Sequence, residues 1–337
     1  REDSLDSALM RSGRFDRKVI IDPPNIKERT AIFKLYLKRI KMAEELDLDD
    51  ASLKMAKITP GFSGADVANI CNQAAIIAVR VGGETPKIEI EHLEEAIDEV
   101  VVGMKKKDRL MTPEETNIVA HHEAGHALMG YLLKSTNPPI KVSIVPRGRG
   151  ALGYSQPEPA DKKLYYRKEL LAQLMVLYGG RIAEELFFID PTTGAWDDIK
   201  KATKLARQMV TEWGMSEKLG RLRYSNDQQE VFLGHSVAQQ KNLSDSTAKI
   251  IDDEVRKLID EAESRSRQIL KDNIDNLHTI AKGLLEYETL TVDEIKDLLN
   301  GIQPTRDDFD NDDPDSIKPP ISTSVPKTSN KISPQPQ

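Results

Sequence analysis

Cysteine and long apolar runs are both scarce in this sequence. Cys71 is the only cysteine among 337 residues, which excludes a disulfide framework and a metal site built from thiolates. It lies among small and apolar residues, so we expect it to pack as an inert hydrophobe. No run of about 18 apolar residues occurs and no amino-terminal signal is present, so these residues are expected to form a soluble segment.

The sequence also contains fewer positively than negatively charged residues. The formal net charge is −7, with 55 acidic residues against 48 lysines and arginines. A surface of this sign repels a phosphate backbone, so nucleic acid is not an expected partner. Aromatic residues make up only 5% of the chain, whereas 31% of its residues are charged. That balance is typical of α-rich domains with solvated outer faces.

Two elements of an ATPase are missing from the printed residues. There is no G-x-x-x-x-G-K-[ST] phosphate-binding loop, and no strand that ends in paired acids precedes Arg11. These residues alone are therefore not expected to hydrolyse ATP. We expect the chain to be the carboxy-terminal part of a longer protein.

The most informative segment that is present is His122-Glu123-Ala124-Gly125-His126. On an α-helix, with about 3.6 residues per turn, His122 and His126 project from one face. That spacing lets both imidazoles reach one metal ion, and it lets Glu123 contact a water on that ion. The alternative is a surface helix with two solvated histidines.

The residues around this segment predict a helix. Thr112 can cap its amino end, Pro113 suits the first helical position, and Glu115 completes a capping box. Gly125 costs about 1 kcal/mol relative to alanine inside a helix, so we expect another element or a substrate to pack closely there. His121 falls outside the register of the two histidines and is expected either to support the metal ligands or to pack beside them.

A catalytic zinc needs a third protein ligand, and the residues that follow His126 are apolar. Further along, Asp197 and Asp198 begin a segment with helical periodicity. Steps of about 100° place Asp198 at the edge of the apolar stripe and Asp197 on the opposite face with lysines. Asp198 is therefore the predicted third ligand. The alternative is that it only caps the helix.

Four segments occur in a characteristic order: residues 122–126, 179–186, 193–198 and 213–216. Together they resemble the peptidase domain of the FtsH family, whose members are membrane-anchored AAA+ zinc proteases. The resemblance implies zinc ligands at His122, His126 and Asp198, with Glu123 as the general base. Two other carboxylates are candidates for the third ligand but are expected to have supporting or structural roles: Glu184 and Glu185.

The first residues resemble another part of the same family. Residues 5–17 are similar to the end of the second region of homology of AAA ATPases. This similarity implies that Arg11 and Arg14 are arginine fingers, which contact the γ-phosphate of a nucleotide on the neighbouring subunit. The alternative is that both are ordinary surface arginines. A later turn lies beside the adenine in this family, which implies nucleotide contacts at Gly64 and Ala65.

These patterns divide the chain into five parts of a mainly α fold. Residues 1–22 are predicted to be the end of an AAA+ α/β large subdomain, and residues 23–103 its small helical lid subdomain. A charged linker at 104–108 precedes an α-rich, zincin-like metallopeptidase domain with a small β element at 109–303. Residues 304–337 are rich in Asp, Pro, Ser and Lys and are predicted to be disordered.

Periodicity within these parts predicts individual helices and strands. The helices are expected over residues 26–39, 53–58, 65–80, 90–101 and 242–273, and the strands over residues 17–22 and 141–145. Residues 141–145 resemble the edge strand of this family, which implies pairing with extended substrate; a plain hairpin is the alternative.

The resemblance implies metal-assisted hydrolysis of peptide bonds. The intact protein is expected to use ATP with Mg²⁺ and a homohexameric ring to degrade unfolded, misassembled or short-lived polypeptides in quality control. Its expected place is the cytoplasmic face of a bacterial inner membrane, or alternatively a mitochondrial or plastid inner membrane, with the anchor upstream of these residues. The competing hypothesis is a catalytically silent AAA+ assembly or chaperone module with a structural zinc, against which the intact Glu123 argues.

Overall fold

A computed structural model describes most of the chain. The described residues are 21–82, 86–105, 111–148, 152–158, 164–188, 190–224 and 243–304, together with residues 6, 9, 13–15, 19 and 162. Within them the helices are α1 Ile26–Leu37, α2 Leu48–Ile58, α3 Gly64–Val81, α4 Ile90–Val101, α5 Pro113–Leu132, α6 Arg167–Phe187, α7 Trp196–Thr211, α8 Asp245–Asp272, α9 Ile274–Tyr287 and α10 Val292–Leu299. The strands are β1 Pro139–Ser143, β2 Tyr154–Pro157 and β3 Thr289–Thr291. The predicted mainly α class is confirmed.

Helices α1 to α4 share one apolar core, and the later elements share another. α2 begins five residues before its predicted start, because the side chain of Asp47 accepts hydrogen bonds from the backbone N–H groups of residues 49 and 50. Cys71 is buried in the first core, as predicted. Burial raises the pKa of its thiol to about 12, which keeps the thiol protonated and unreactive near neutral pH.

Helix α5 begins as its sequence predicts. The hydroxyl of Thr112 accepts a hydrogen bond from the backbone N–H of Glu115, and the Glu115 carboxylate accepts one from the backbone N–H of Thr112. Every residue from Val119 to Gly130 is buried, because α6, α8, α9 and the sheet surround this part of the helix. The helix is therefore a central element of the second core.

Glycines set the crossing of α5 and α6. A Cβ atom at Gly125 would lie 2.4 Å from the carbonyl oxygen of Gly179, and a Cβ atom at Gly179 would lie 2.8 Å from the carbonyl oxygen of Gly125. The two backbones are therefore in direct contact, which only residues without a side chain allow. The close packing predicted at Gly125 is confirmed.

The three strands form an antiparallel sheet in the order β2-β1-β3. Ser143 of β1 pairs with Tyr154 of β2 on one side and with Thr289 of β3 on the other. β1 is thus the central strand of the described sheet, and the prediction that residues 141–145 form an edge strand is wrong. The partner that covers its second side comes from a distant part of the chain, which the local pattern of β1 does not reveal.

The long helix predicted over residues 242–273 is α8. The hydroxyl of Ser244 caps its amino end, and the helix ends at Asp272. The apolar face of α8 packs into the same core as α5 and α6, so the predicted packing role of this helix is confirmed. No helix in the described part of the chain is both long and apolar enough to cross a bilayer.

Some predicted features lie wholly or partly outside the described residues. They are the strand over residues 17–22, the linker over 104–108 and the tail beyond residue 304. These features remain predictions, as does the division of the chain into five parts.

Gly125→Ala should destabilise the fold. The new Cβ would meet the Gly179 carbonyl oxygen at 2.4 Å. Overpacking of about 3 kcal/mol outweighs the roughly 1 kcal/mol that alanine gains in a helix, so the free energy of unfolding should fall by about 2 kcal/mol. Urea denaturation followed by circular dichroism measures this loss. Gly64→Ala is the control, since a Cβ there lies 3.8 Å from its nearest neighbour. Equal losses in both variants would contradict the role of the crossing.

Candidate metal centre

His122 and His126 lie on the buried part of α5, one helical turn apart. Their Nε2 atoms are 3.0 Å apart, and the two ring planes meet at 76°. Both Nε2 atoms therefore point to one small volume inside the protein. This geometry removes the alternative of a surface helix with two solvated histidines.

Asp198 reaches the same volume from α7. Its Oδ2 atom lies 3.3 Å from Nε2 of His122 and 3.2 Å from Nε2 of His126. Its side chain is 18% exposed, whereas that of Asp197 is 56% exposed and pairs with Lys201 at 2.7 Å. The structure thus separates the two acids as the helix-face argument predicts. The N-cap position of α7 is occupied by Ala195, so the alternative that Asp198 only caps the helix is wrong.

The three atoms are spaced as a single metal ion requires. They are the only group of three or more potential metal ligands in the part of the chain that the structure describes. A tetrahedral zinc with bonds of about 2.0 Å separates its ligand atoms by about 3.3 Å, close to the distances between these atoms. Two imidazoles and one carboxylate are also a donor set that zinc accepts, and they leave a fourth position for water or substrate. The residues present therefore fit zinc.

The second ring nitrogen of each histidine makes a hydrogen bond to α6. Nδ1 of His122 donates to Oε1 of Glu184 at 2.7 Å, and Nδ1 of His126 donates to the carbonyl oxygen of Val176 at 2.8 Å. Each bond selects the tautomer in which Nε2 directs a lone pair to the shared volume. The orientation of both ligands therefore depends on the close approach of α5 and α6.

Glu184 also holds the segment that leads to Asp198. Its Oε2 atom accepts hydrogen bonds from the backbone N–H and the hydroxyl of Thr192, at 2.8 and 2.9 Å. Thr192 precedes the 3-10 turn Thr193–Ala195, which continues directly into α7. One buried carboxylate thus orients a histidine and anchors the approach to the aspartate. Its neighbour Glu185 points away from the histidines and pairs with arginines.

Charges within the cluster shift its pKa values in opposite directions. Burial disfavours the charged form of His122, but its hydrogen bonds with Asp198 and Glu184 outweigh burial and raise its pKa to about 10. Burial also disfavours charge on Asp198, yet its hydrogen bonds with His122 and His126 outweigh this and lower its pKa. The cluster therefore favours one positive charge at its centre, which either a proton or a metal ion supplies.

Glu123 is buried beside these groups, and the start of β2 closes over it. A Cβ atom at Gly153 would lie 2.8 Å from Oε1 of Glu123 and 2.9 Å from the carbonyl oxygen of Ser143. Burial raises the pKa of Glu123, although the positive charge of the two histidines opposes the rise. A glutamate with a raised pKa is suited to take up and return a proton near neutral pH.

Two glycines of this site have functions that motif spacing does not predict. A Cβ atom at Gly180 would lie 2.6 Å from Nε2 of both His122 and His126, so only glycine leaves room there. Gly153 has the same role beside Glu123. Two adjacent glycines are costly inside a helix, and that cost is the sequence signal that could have indicated a close approach at residues 179–180.

His121 takes no part in the cluster. Its Nδ1 atom donates to the carbonyl oxygen of Asn117 at 2.9 Å, and its ring centre lies 4.4 Å from that of Phe187. The predicted packing role of His121 is confirmed.

The nucleotide-related residues are placed only in part. Arg11 lies outside the described residues, and Arg14 is exposed. Gly64 and Ala65 are the first two residues of α3, where the side chain of Ser63 caps the helix. Their contacts with nucleotide remain a prediction.

Comparison with known families matches two parts of the chain. Residues 109–298 match Peptidase family M41, and residues 53–95 match the AAA+ lid domain. The chain is 44% identical over 299 residues to the ATP-dependent zinc metalloprotease FtsH of Rhodothermus marinus, across 89% of this chain and 42% of that protein. Proteins of the same name from Caulobacter vibrioides and Haemophilus influenzae are 43% and 44% identical, across 91% and 89% of this chain and 49% and 47% of theirs. The chain thus spans less than half the length of these relatives.

Asp198→Asn should weaken zinc binding, because it removes a charged ligand atom that lies 3.2 Å from Nε2 of His126. We expect a loss of at least about 100-fold, since even residues that only support ligands contribute 10- to 100-fold. Competition with a chromophoric chelator measures the affinity. Asp197→Asn is the matched control, because that side chain faces solvent beside Lys201. Equal losses in the two variants would show that the assignment of the third ligand is incorrect.

Glu184→Gln should also weaken zinc binding, by roughly 10- to 100-fold, because His122 loses its charged hydrogen-bond partner and becomes a poorer ligand. Glu185→Gln provides the control, since its carboxylate pairs with Arg181 and Arg267 and does not reach the histidines. The same chelator assay compares the two. An unchanged affinity in Glu184→Gln would refute the supporting role, and loss only in Glu185→Gln would reverse the assignment.

Proposed function

Since this chain belongs to peptidase family M41, whose domain spans residues 109–298, we propose that it is the proteolytic part of an ATP-dependent zinc metalloprotease. One observation carries the proposal: three donor atoms of suitable spacing meet beside a buried glutamate. A structural zinc site is usually closed by four protein ligands, whereas three leave a position for water. A base at Glu123 serves a catalytic site and has no use at a structural one.

In this mechanism His122, His126 and Asp198 would hold a zinc ion. A bound zinc ion would polarise the scissile carbonyl and lower the pKa of the attacking water. Glu123 accepts the proton of that water and delivers it to the leaving amine. Burial keeps Glu123 out of bulk solvent, and its raised pKa makes it a stronger base towards the attacking water than an exposed glutamate.

Extended polypeptide is the proposed substrate. β2 is an outer strand of the described sheet, and it follows directly on Gly153, which packs against Glu123. Pairing of a substrate backbone along such a strand selects an extended chain with little dependence on its side chains. This property suits the hydrolysis of unfolded, misassembled or short-lived proteins in quality control.

Further assignments concern the longer protein. It forms a homohexameric ring in which ATP with Mg²⁺ drives substrates towards the peptidase sites, with Arg11 and Arg14 as arginine fingers and Gly64 and Ala65 beside the adenine. A separate segment anchors it at the cytoplasmic face of a bacterial inner membrane. The match of residues 53–95 to an AAA+ lid domain supports the nucleotide-linked part of this proposal.

Glu123→Gln should abolish peptide hydrolysis while zinc binding persists. The amide cannot accept the proton of water, and general bases contribute typically 10²- to 10⁴-fold to rate. The three proposed ligand atoms are untouched by the change. Cleavage of an unstructured fluorogenic peptide and zinc content by atomic absorption are measured on the same zinc-loaded sample. The expected result is about one zinc per chain in both proteins, with a rate loss of at least about 100-fold in the variant.

Glu114→Gln is the matched control for this variant, because Glu114 lies in the exposed first turn of the same helix. It should retain the rate of the unmodified chain. Wild-type rates in Glu123→Gln would refute the mechanism. A zinc-loaded chain that cleaves no peptide at all would favour the competing assembly or chaperone module.

A further inference from the structure

A buried carboxylate joins helix α4 to the peptidase sheet. Oδ2 of Asp98 accepts hydrogen bonds from Nη2 of Arg147 at 3.2 Å, from the hydroxyl of Tyr154 at 2.9 Å and from Nζ of Lys141. Lys141 belongs to β1 and Tyr154 to β2, and Arg147 follows β1. One side chain from the segment before the peptidase domain thus holds three side chains of the β1–β2 hairpin.

Neighbouring groups complete this cluster. The carboxylate of Glu95, also on α4, accepts hydrogen bonds from Nη1 and Nη2 of Arg147 at 3.1 and 3.3 Å, and it pairs with Nζ of Lys105 at 3.2 Å. The backbone N–H of Gly148 donates to the carbonyl oxygen of Met104 at 2.8 Å. Asp98 and Glu95 of α4 therefore face three cationic side chains, which are Arg147, Lys141 and Lys105.

The centre of the cluster is buried. Asp98 is 3% exposed and Arg147 is 2% exposed. A charge at such a site depends on its partners, because water cannot replace them without a rearrangement. Loss of the Asp98 charge would leave Arg147 and Lys141 without the acceptor that holds them together.

Tyr154 and Gly153 connect the cluster to Glu123. Tyr154, which donates to Asp98, directly follows Gly153, and the Cα of Gly153 approaches Glu123 so closely that a Cβ would lie 2.7 Å from Cγ of Glu123. Tyr154 also pairs with Ser143 of β1, whose carbonyl oxygen lies against the same glycine. A shift of Tyr154 would therefore move Gly153, whose backbone packs against Glu123.

We propose that Asp98 is a positioning residue that holds the β1–β2 hairpin against Glu123, so that helix α4 controls the geometry of the proteolytic site. This inference rests on the proposed function, because it assigns to Glu123 a role in catalysis. Asp98 acts through Tyr154 and Gly153 and does not contact the substrate or the zinc ligands.

The test compares three variants of the zinc-loaded full chain. Asp98→Asn keeps the shape of the side chain and removes its charge, and Tyr154→Phe removes only the hydroxyl that donates to Asp98. Glu99→Gln is the matched control, since Glu99 lies on the same helix with a side chain that is 7% exposed, but pairs with Arg80 of α3 at 3.7 Å. Measurements are deuterium exchange of peptides covering residues 141–143 and 154–157, kcat and KM on an unstructured peptide, and zinc content.

We expect faster exchange in both strands for Asp98→Asn and for Tyr154→Phe. The value of kcat should fall about tenfold in Asp98→Asn and about threefold in Tyr154→Phe. KM should change less than twofold and zinc content should remain that of the unmodified chain. A general loss of folding would instead accelerate exchange throughout the chain and lower zinc content. Glu99→Gln should match the unmodified chain in every measurement.

Exchange rates and kcat in Asp98→Asn that match those of Glu99→Gln would overturn the proposal. So would a fall in activity that tracks a loss of zinc. If the unmodified zinc-loaded chain cleaves no peptide, the proposed function fails, whereas the exchange measurement still decides whether Asp98 holds the two strands.

Discussion

Direct backbone contact between α5 and α6 is the constraint on which the metal centre depends. Packed helix axes usually lie 8–10 Å apart, with side chains between them. Gly125 and Gly179 have no side chains at the crossing, so hydrogen-bond acceptors on α6 come within reach of the Nδ1 atoms of His122 and His126. Gly180 then leaves open the volume at the two Nε2 atoms. Glycine lowers the stability of both helices, and this loss accompanies the close approach that fixes the orientation of the two histidine ligands.

The buried carboxylate of Glu184 extends this constraint to the third ligand. It binds His122 through one oxygen and Thr192 through the other, and α7 begins four residues after Thr192. Burial alone would raise the pKa of Glu184, but its hydrogen bonds from His122 and Thr192 outweigh burial and lower the pKa. A carboxylate at this point makes His122 a stronger ligand and holds the turn ahead of Asp198 in one arrangement.

Local patterns predicted those parts of the site that a single helix determines. The capping box at Thr112 fixes the start of α5, and helical steps distinguish Asp198 from Asp197, because both features depend only on neighbouring residues. The arrangement of the sheet could not be predicted in this way, since β1 is covered by a strand from residues 289–291. For the same reason Gly153 gave no signal: its closeness to Glu123 exists only after the hairpin packs on α5.

The polar character of the junction at Asp98 follows from the existence of two cores. Helices α1 to α4 bury their apolar residues in one cluster, and the peptidase elements bury theirs in another. Asp98 joins the two through a salt bridge with Arg147 and a hydrogen bond from the hydroxyl of Tyr154. A hydrogen bond is also directional, so it transmits the position of α4 to Tyr154 more sharply than apolar packing of similar area. In our proposal, these directional contacts join the two cores without an apolar interface and fix the position of Gly153 against Glu123.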